Sequence, residues 1–311
     1  MLRSRLRLPA LSSRLSTLGF VIVVVCVLTA LLYLLLGSRI TPYDANAPNL
    51  MQSNVFPTMS HPFGTDFEGR DLLSRVIASF PIDVGLPVAV VLMSSALGMF
   101  LGVVAGYFGG MLEELIMRLT DLFLAFPTIV MVLAVAATLG PSLLNATMAI
   151  FFVWWPPYVR LVRGAVLEVS TQDFMAISKA LNSSFPYIMR KNILPNVMPS
   201  ILTYATLDVG TALLSLSTLG FLGVGIPPGT AELGVMAGTI SSNLYTHPWE
   251  ALIPAGIAMV IVLGFSLVGE GLREGSDIKV RPYIRTRYFG KLLEEDREKA
   301  RQSKAASGQK E

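Results

Sequence analysis

Charge is what this sequence has least of. Only 14% of its 311 residues are Asp, Glu, Lys or Arg, against the roughly 25% that cover an ordinary soluble surface. There is one cysteine, Cys26, and there are two histidines, His61 and His247. A single cysteine excludes an internal disulfide framework, and two distant histidines leave no donor set for a structural zinc site. A phosphate-binding G-x-x-x-x-G-K-[ST] loop is missing as well: Gly290-Lys291 is followed by Leu-Leu. Work driven by a nucleotide would therefore need the nucleotide site on another chain. What fills the sequence instead is apolar. Hydrophobic residues make up 53% and the mean hydropathy is +0.61, too apolar for a disordered chain and too poor in polar groups for a soluble one. The class that remains is a polytopic membrane protein, and the spans that follow read as all-α.

A hydrocarbon core about 30 Å thick takes roughly 20 apolar helical residues to cross. Residues 18–37 are free of charge and meet that length, and so does 84–112, with room for a turn. Residues 122–159 are uncharged and broken by Gly140-Pro141-Ser142, which reads as two short helices and a tight turn. A fifth helix is expected over 199–222 and a sixth over 251–269. Arg3, Arg5, Arg7 and Arg14 ahead of the first span would suit a signal peptide. Its apolar run is too long for one, however, and no A-x-A-like site follows Leu36, so it reads as an uncleaved helix. An orientation with both termini cytoplasmic puts 21 of the 24 Lys and Arg inside and leaves Arg39, Arg70 and Arg75 outside, as the positive-inside rule asks. The expected domains are a cytoplasmic segment 1–17, a six-helix unit 18–275 and a polar cytoplasmic tail 276–311. The unit includes an outside loop of about 38–80 and a cytoplasmic loop of about 165–197.

That cytoplasmic loop is the most structured of the connections. Ser170-Thr171-Gln172-Asp173 fits a capping box with Ser170 as N-cap. Phe174, Ile177 and Leu181 then recur at helical spacing on one face, with Ala180 alongside. Asn182 tolerates the left-handed conformation that ends a helix, and Ser184 fits the cap of a second short helix closed by Pro195. An apolar stripe on a helix pair between two spans is either a docking surface or packing against the chain's own bundle.

The residues themselves carry a resemblance. Phe174-Met175-Ala176-Ile177-Ser178-Lys179-Ala180-Leu181-Asn182, followed by Ile193-Leu194-Pro195, resembles the EAA loop of ABC importer permeases, and more narrowly the C-type permease of the dipeptide, oligopeptide and nickel group. His61-Pro62-Phe63-Gly64-Thr65-Asp66 with Gly69-Arg70-Asp71 and Ser74-Arg75 is similar to that group's extracytoplasmic signature. Further matches follow in order: Ala105 to Gly110, then Arg118, Asp121 and Ala125-Phe126-Pro127; Leu219 to Gly225 with Pro227-Pro228; and Gly269 to Glu274. The resemblance covers about residues 14–275. It departs at Ala176-Ile177-Ser178, where the family has Glu-Ala-Ala, and at Asn182, where the family has Gly. The lost Glu removes an acidic partner contact, and the added bulk of Ile177 offsets it in part by burying more area.

The resemblance implies a type I importer permease fold in a prokaryotic inner membrane and no cofactor in this chain, with ATP and Mg held by partner subunits. It implies four further chains: a second homologous permease, two ATPases and an extracytoplasmic substrate-binding protein. Lipid surrounds the chain and no nucleic acid is involved. Phe174, Ile177, Ser178, Ala180, Leu181 and Asn182 would couple it to the ATPase, and peptides are the expected cargo. Di- or oligosaccharides and nickel chelates are the alternatives within the same machinery. From another class, a secondary transporter would need inverted repeats and several deep acids, and a membrane-embedded enzyme would need a cluster of His, Asp or Glu.

Asp208 is the acid placed well inside an expected span, where carboxylates are costly and often functional. It could bind a substrate amine along the pathway, pair with another subunit or sit protonated. Gly98, Gly102 and Gly106, four apart, suit close helix packing more than sliding. Pro127 is expected to kink the third helix. Trp154, Trp155, Tyr158 and Trp249 are expected as interfacial anchors, Cys26 as packing, and His61 and His247 as loop residues. The loop 225–250 is either a surface for the binding protein or a simple connector. The basic tail is expected to fray or lie on anionic headgroups.

Overall fold

The computed structural model describes residues 14–238 and 245–277; the expectations for the basic N-terminal segment up to residue 13 and for the tail beyond 277 fall outside them. Twelve α-helices are present among the described residues: α1 (Arg14–Leu36), α2 (Leu72–Asp83), α3 (Gly85–Phe108), α4 (Gly110–Leu124), α5 (Thr128–Leu139), α6 (Leu143–Trp154), α7 (Pro156–Ser170), α8 (Asp173–Ala180), α9 (Phe185–Ile188), α10 (Leu194–Phe221), α11 (Leu233–Gly238) and α12 (Trp249–Asp277). Among the described residues four segments are long and apolar enough to cross a membrane: Arg14–Ile40, Leu72–Phe108, Phe185–Phe221 and Trp249–Gly275. The pair α4 and α5, bent by 86°, makes a fifth if counted as one span. Length and composition of the described residues thus identify four to five of the six expected spans. At 12 residues, α5 reaches only about 18 Å along its axis.

Local chemistry explains where the boundaries moved. The second span begins at Leu72, not after Asp83, because Asp71 caps it: its carboxylate accepts from the Ser74 amide at 2.8 Å. Arg75 and Asp83 are consequently carried into the apolar helix and buried. Pro127 does not kink a continuous helix. It stands ahead of α5 as the N-cap, and the chain turns between α4 and α5. Helical structure does not stop near residue 159 either: α6 ends at Trp154 and a separate helix, α7, begins at Pro156. Pro156 and Pro157 occupy the first positions of α7, where a missing N–H costs nothing, and the helix runs on to Ser170.

The spans are held together by glycines at crossing points. An added Cβ on Gly98 would lie 2.2 Å from Tyr158 Cβ, on Gly102 2.7 Å from Val162 Cβ and on Gly106 2.9 Å from Val166 Cβ. α3 and α7 therefore run parallel with backbones nearly touching, as the four-residue spacing anticipated. α1 and α12 approach as closely but antiparallel, with Gly19 against Leu267 and Gly264 against Ile22. In lipid, dispersion between closely approached helices replaces the hydrophobic drive that water would give. Cys26 is buried in this packing.

Two connections tie the same end of the bundle. The turn after α5 hydrogen-bonds to the segment after α10, Ser142 N–H donating to Gly225 O at 2.8 Å. Asn145 closes the turn through Leu139 O at 2.7 Å. At the opposite end lie α4 and the pair α8–α9.

The seam predicts an asymmetry between glycines. Gly98→Ala and Gly102→Ala should each cost about 1–3 kcal/mol through overpacking, seen as a drop of several degrees in the Tm of the detergent-solubilised protein. Gly164→Ala on α7, whose Cβ would meet nothing within 4 Å, should be neutral or stabilising. Equal losses at Gly164 and Gly102 would dissolve the seam.

Candidate functional site

α8 starts at Asp173, an acid in the first turn, where it suits the positive end of the helix dipole. Ser170 does not cap it, contrary to expectation. Ser170 is the last residue of α7, and a tight turn follows in which Thr171 and Gln172 amides donate to Glu168 and Val169 carbonyls. The helix ends where Asn182 takes a left-handed φ of 50°, as its side chain allows. Pro195 does not close the second helix. α9 passes through a π turn, Met189–Ile193, directly into α10, whose first turn holds Pro195. There the lack of an N–H is harmless.

The pair has two faces of opposite character. Met175, Ile188 and Ile193 are fully buried with Val103, Val162, Val166, Val197 and Ile201. Phe185 packs on Tyr107 and Phe108 with ring centroids 5.0 and 5.3 Å apart. On the other side Phe174, Ile177 and Leu181 are 40%, 59% and 75% exposed. The stripe therefore does not pack on the chain's own bundle. Ala180 and Asn182 are exposed beside it, whereas Ser178 is turned inward and accepts from Asn192 Nδ2 at 2.7 Å.

Behind the pair lies a clasp that the sequence did not announce. α4 is amphipathic, and its Glu113 and Asp121 meet Arg163 and Arg160 of α7. Arg163 Nε donates to Glu113 at 2.6 Å and Arg160 Nη2 to Asp121 at 2.5 Å. These partners are 50 and 39 residues apart, so no local periodicity links them; the only available signal was an acid-bearing helix facing a basic one.

Asp208 lies fourteen residues into α10, about 21 Å along its axis, and is not brought to α8. Its Oδ2 accepts from Trp154 Nε1 and Tyr158 OH, both at 2.7 Å. The two donors flank the junction of α6 and α7, so the carboxylate fastens α10 to that junction. Trp154 and Tyr158 are consequently buried in protein, as is Trp155, whose Nε1 donates to Phe152 O at 3.0 Å, and none of the three is an interfacial anchor. Trp249 is half-buried at the start of α12, with Phe56 edge-on at 5.1 Å.

At the other end of the bundle the signature residues of 61–75 converge on one another. Asp66 accepts from the amides of Glu68 and Arg70 and from Arg70 Nε at 2.7 Å. His61 is more than a loop residue: it is buried, with Nδ1 2.9 Å from Asp71 Oδ1, and stacks on Tyr43 at 4.6 Å. Gly69, at φ 73°, passes so close to Asn49 that an added Cβ would lie 1.8 Å from its carbonyl oxygen. Fully buried Arg75 donates to the carbonyls of Ala45, Gly229 and Thr230, each at 3.2 Å, with Asp66 3.6 Å away. One guanidinium thus joins the loop before α2 to the loop before α11. Among the described residues no group of three or more His, Cys, Asp or Glu is placed to hold a metal.

A helical membrane bundle with an exposed helix pair at one end and a guanidinium-tied cap at the other is the architecture of a transport permease subunit. Residues 98–280 match the family described as binding-protein-dependent transport system inner membrane component, and this chain belongs to it. Among relatives, it is 36% identical over 269 residues to the dipeptide transport system permease protein DppC of Haemophilus influenzae, covering 85% of this chain and 91% of the relative. It is 33% identical over 270 residues to the oligopeptide transport system permease protein OppC of Bacillus subtilis, covering 87% of each. It is 35% identical over 243 residues to the glutathione transport system permease protein GsiD of Escherichia coli, covering 78% and 80%. A crystal structure of an amino acid ABC transporter shares the fold, with a TM-score of 0.51 at 18% identity over 64% of this chain and 94% of that one. The chain is accordingly a multi-pass inner-membrane transport component.

The Arg75 node carries a prediction. Arg75→Met leaves Asp66 and three carbonyls without their shared donor and should cost about 3–5 kcal/mol, measured as lost thermal stability. Arg118→Ala breaks an exposed pair with Glu114 and should change stability by less than about 1 kcal/mol. Similar losses in both would contradict the node.

Proposed function

We propose that this chain is one permease half of an ABC importer for peptides. It pairs with a second homologous permease, receives substrate from an extracytoplasmic binding protein and is driven by two ATPase subunits. The names of its relatives support di- and oligopeptide cargo, and the binding protein selects among sugars, nickel chelates and peptides. Both termini lie in the cytoplasm, which puts α4, α8 and α9 on the ATPase side and the Arg75 node outside.

The observation that carries this reading is the exposed stripe of Phe174, Ile177 and Leu181 on a helix pair whose opposite face is buried in the bundle's own core. Such a pair is a lever: it presents apolar area to a partner and transmits displacement through the residues beneath it. Met175 delivers that displacement to α7 and α3, and the clasp of Glu113 with Arg163 and Asp121 with Arg160 adds α4 to the moving body. The transition is a switch between two helix packings, biased by the different contacts the partner makes in its ATP-bound and ATP-free states. Asp208 fastens α10 to the α6–α7 junction. Its remaining capacity to accept a hydrogen bond makes it the pathway's candidate for a substrate amine.

Phe174→Asp and Leu181→Asp should each reduce uptake by more than about tenfold, because burying an unpaired carboxylate at the interface costs more than the 1.4 kcal/mol that a factor of ten represents. Basal ATP hydrolysis by the partner should persist. Uptake at the normal rate in either variant contradicts the docking assignment. Asp208→Asn should alter which peptides are carried; unchanged selectivity removes the pathway role.

A further inference from the structure

Two carboxyl groups that the transport reading does not use are buried against one another. Asp83 ends α2 and Glu232 immediately precedes α11, and both are 0% exposed. The Leu233 amide donates to Asp83 Oδ2 at 3.1 Å, so the start of α11 hangs on the end of α2. Glu232 accepts from the Gly234 and Val235 amides at 2.9 and 2.6 Å and faces Asp83. The second Asp83 oxygen, Oδ1, is buried and makes no hydrogen bond, since the neighbouring Ser79 hydroxyl donates to the Val76 carbonyl at 3.0 Å. Close approach is built in: a Cβ on Gly220 of α10 would lie 2.1 Å from Glu232 Oε2, and one on Gly234 2.0 Å from Ser217 O.

Such an arrangement lacks a positive partner, and none is supplied by the surrounding elements among the described residues. On α2 the nearest cation is Arg75, eight residues before Asp83, committed to Ala45, Gly229, Thr230 and Asp66. α1 carries charge only at Arg14, at its far end, and its Tyr33 packs with Ala45, Ala78 and Ala231. α3 has no charged residue, and its Tyr107 is at the far end. α10 brings Ser217 to the pair, and its one charged residue, Asp208, is nine positions away. α11 has no titratable side chain. α12 offers Glu250 at its start, near Asp66, and Glu270, Arg273 and Glu274 toward the other end.

Two carboxylates in contact inside a low-dielectric interior do not both ionise, and an acceptor without a donor in a buried site costs free energy that one hydrogen removes. We propose that Asp83 and Glu232 form a proton-binding site, in which one proton shared between Asp83 Oδ1 and the Glu232 carboxyl locks α11 and the segment before it onto α2. Two carboxylates provide too few oxygens for a calcium ion, which takes six to eight. Burial pushes the Glu232 carboxyl above its ordinary range, which suits a group that keeps its proton. Because the folded state holds a proton on Glu232 more tightly than the unfolded chain does, the lock's contribution is complete at low pH. It fades as pH rises through the folded-state value. The site lies at the end of the bundle away from α8, so it would make this end of the importer sensitive to pH independently of the ATPase contact.

The test is the thermal stability of the assembled transporter between roughly pH 6 and pH 9, for the wild type, Asp83→Asn and Glu232→Gln. The wild type should lose Tm progressively as pH rises across that range. Asp83→Asn should show a distinctly shallower profile, its amide donating permanently where the proton stood and the remaining slope belonging to titratable groups that both proteins share. Equal slopes in wild type and Asp83→Asn would overturn the proposal. So would recovery of the high-pH wild type on adding sodium or calcium chloride but not choline chloride, which would place a metal ion in the site. If Asp83→Asn does not assemble, Glu232→Gln carries the same expectation. If neither assembles, infrared spectroscopy of the wild-type complex decides. A protonated-carboxyl stretch that vanishes on alkalinisation supports the site, and its absence at neutral pH refutes it. None of these readings depends on coupling to ATP, so failure here leaves the permease assignment standing and the reverse also holds.

Discussion

The approach of α3 to α7 is the constraint on which the rest of this structure hangs. Gly98, Gly102 and Gly106 remove the side chains that would keep the two helices apart, and Tyr158, Val162 and Val166 fill the space. In a solvent of hydrocarbon, where apolar surface has nothing to gain by leaving lipid, such contact is a main source of helix association. The seam also determines what stands on it. Val162 and Val166 continue into the small core that holds Met175, Ile188 and Ile193. The helix pair therefore rests on the seam and not on a free loop. α4 is fastened to the same helix by two interhelical ion pairs.

The two ends of the bundle solve different problems. One end exposes apolar side chains where a partner can press on them. The other buries charge. Arg75 collects three carbonyls and a carboxylate from segments far apart in sequence, and Asp71 caps α2 while holding His61. A single guanidinium with several geometrically fixed donors is suited to that task. Breaking one partner of such a buried cluster costs more than the cluster contributes net, so the cap behaves as a unit. Between the two ends, Asp208 fastens α10 to the junction of α6 and α7 through Trp154 and Tyr158. Force applied to α7 thus reaches the central helix by a hydrogen-bonded route as well as by packing.

Much of this was legible in the sequence, and the failures have identifiable causes. The apolar runs located four of the long helices, the glycine spacing located the seam, and Asn182 located the end of α8 through its left-handed tolerance. The signature Gly69-Arg70-Asp71 was visible as a motif, but its arrangement around Asp66 was not, since chain folding brings Asn49 against Gly69. Charge does not mark the start of the second span. A capped helix carried Asp83 inward instead, and with it one member of a buried pair whose partner, Glu232, lies about 150 residues away. Trp154 and Tyr158 were misread as interfacial because aromatic residues near a span end suit that role equally well; only the position of Asp208 distinguishes the two. Pro195 was read as a stop, and the π turn before it made it a beginning.

The central claim is that α3, α7 and the exposed helix pair move as one body when the transporter switches state. Spin labels at Phe100→Cys and Leu167→Cys, both exposed side chains on the two seam helices, can be placed in a Cys26→Ala background within the complete transporter. Pulsed dipolar spectroscopy would then compare ATP-free and ATP-trapped samples. The account predicts one unchanged distance distribution in both states; a shift of the order of one helical turn, roughly 5 Å, would mean the seam slides and would contradict it.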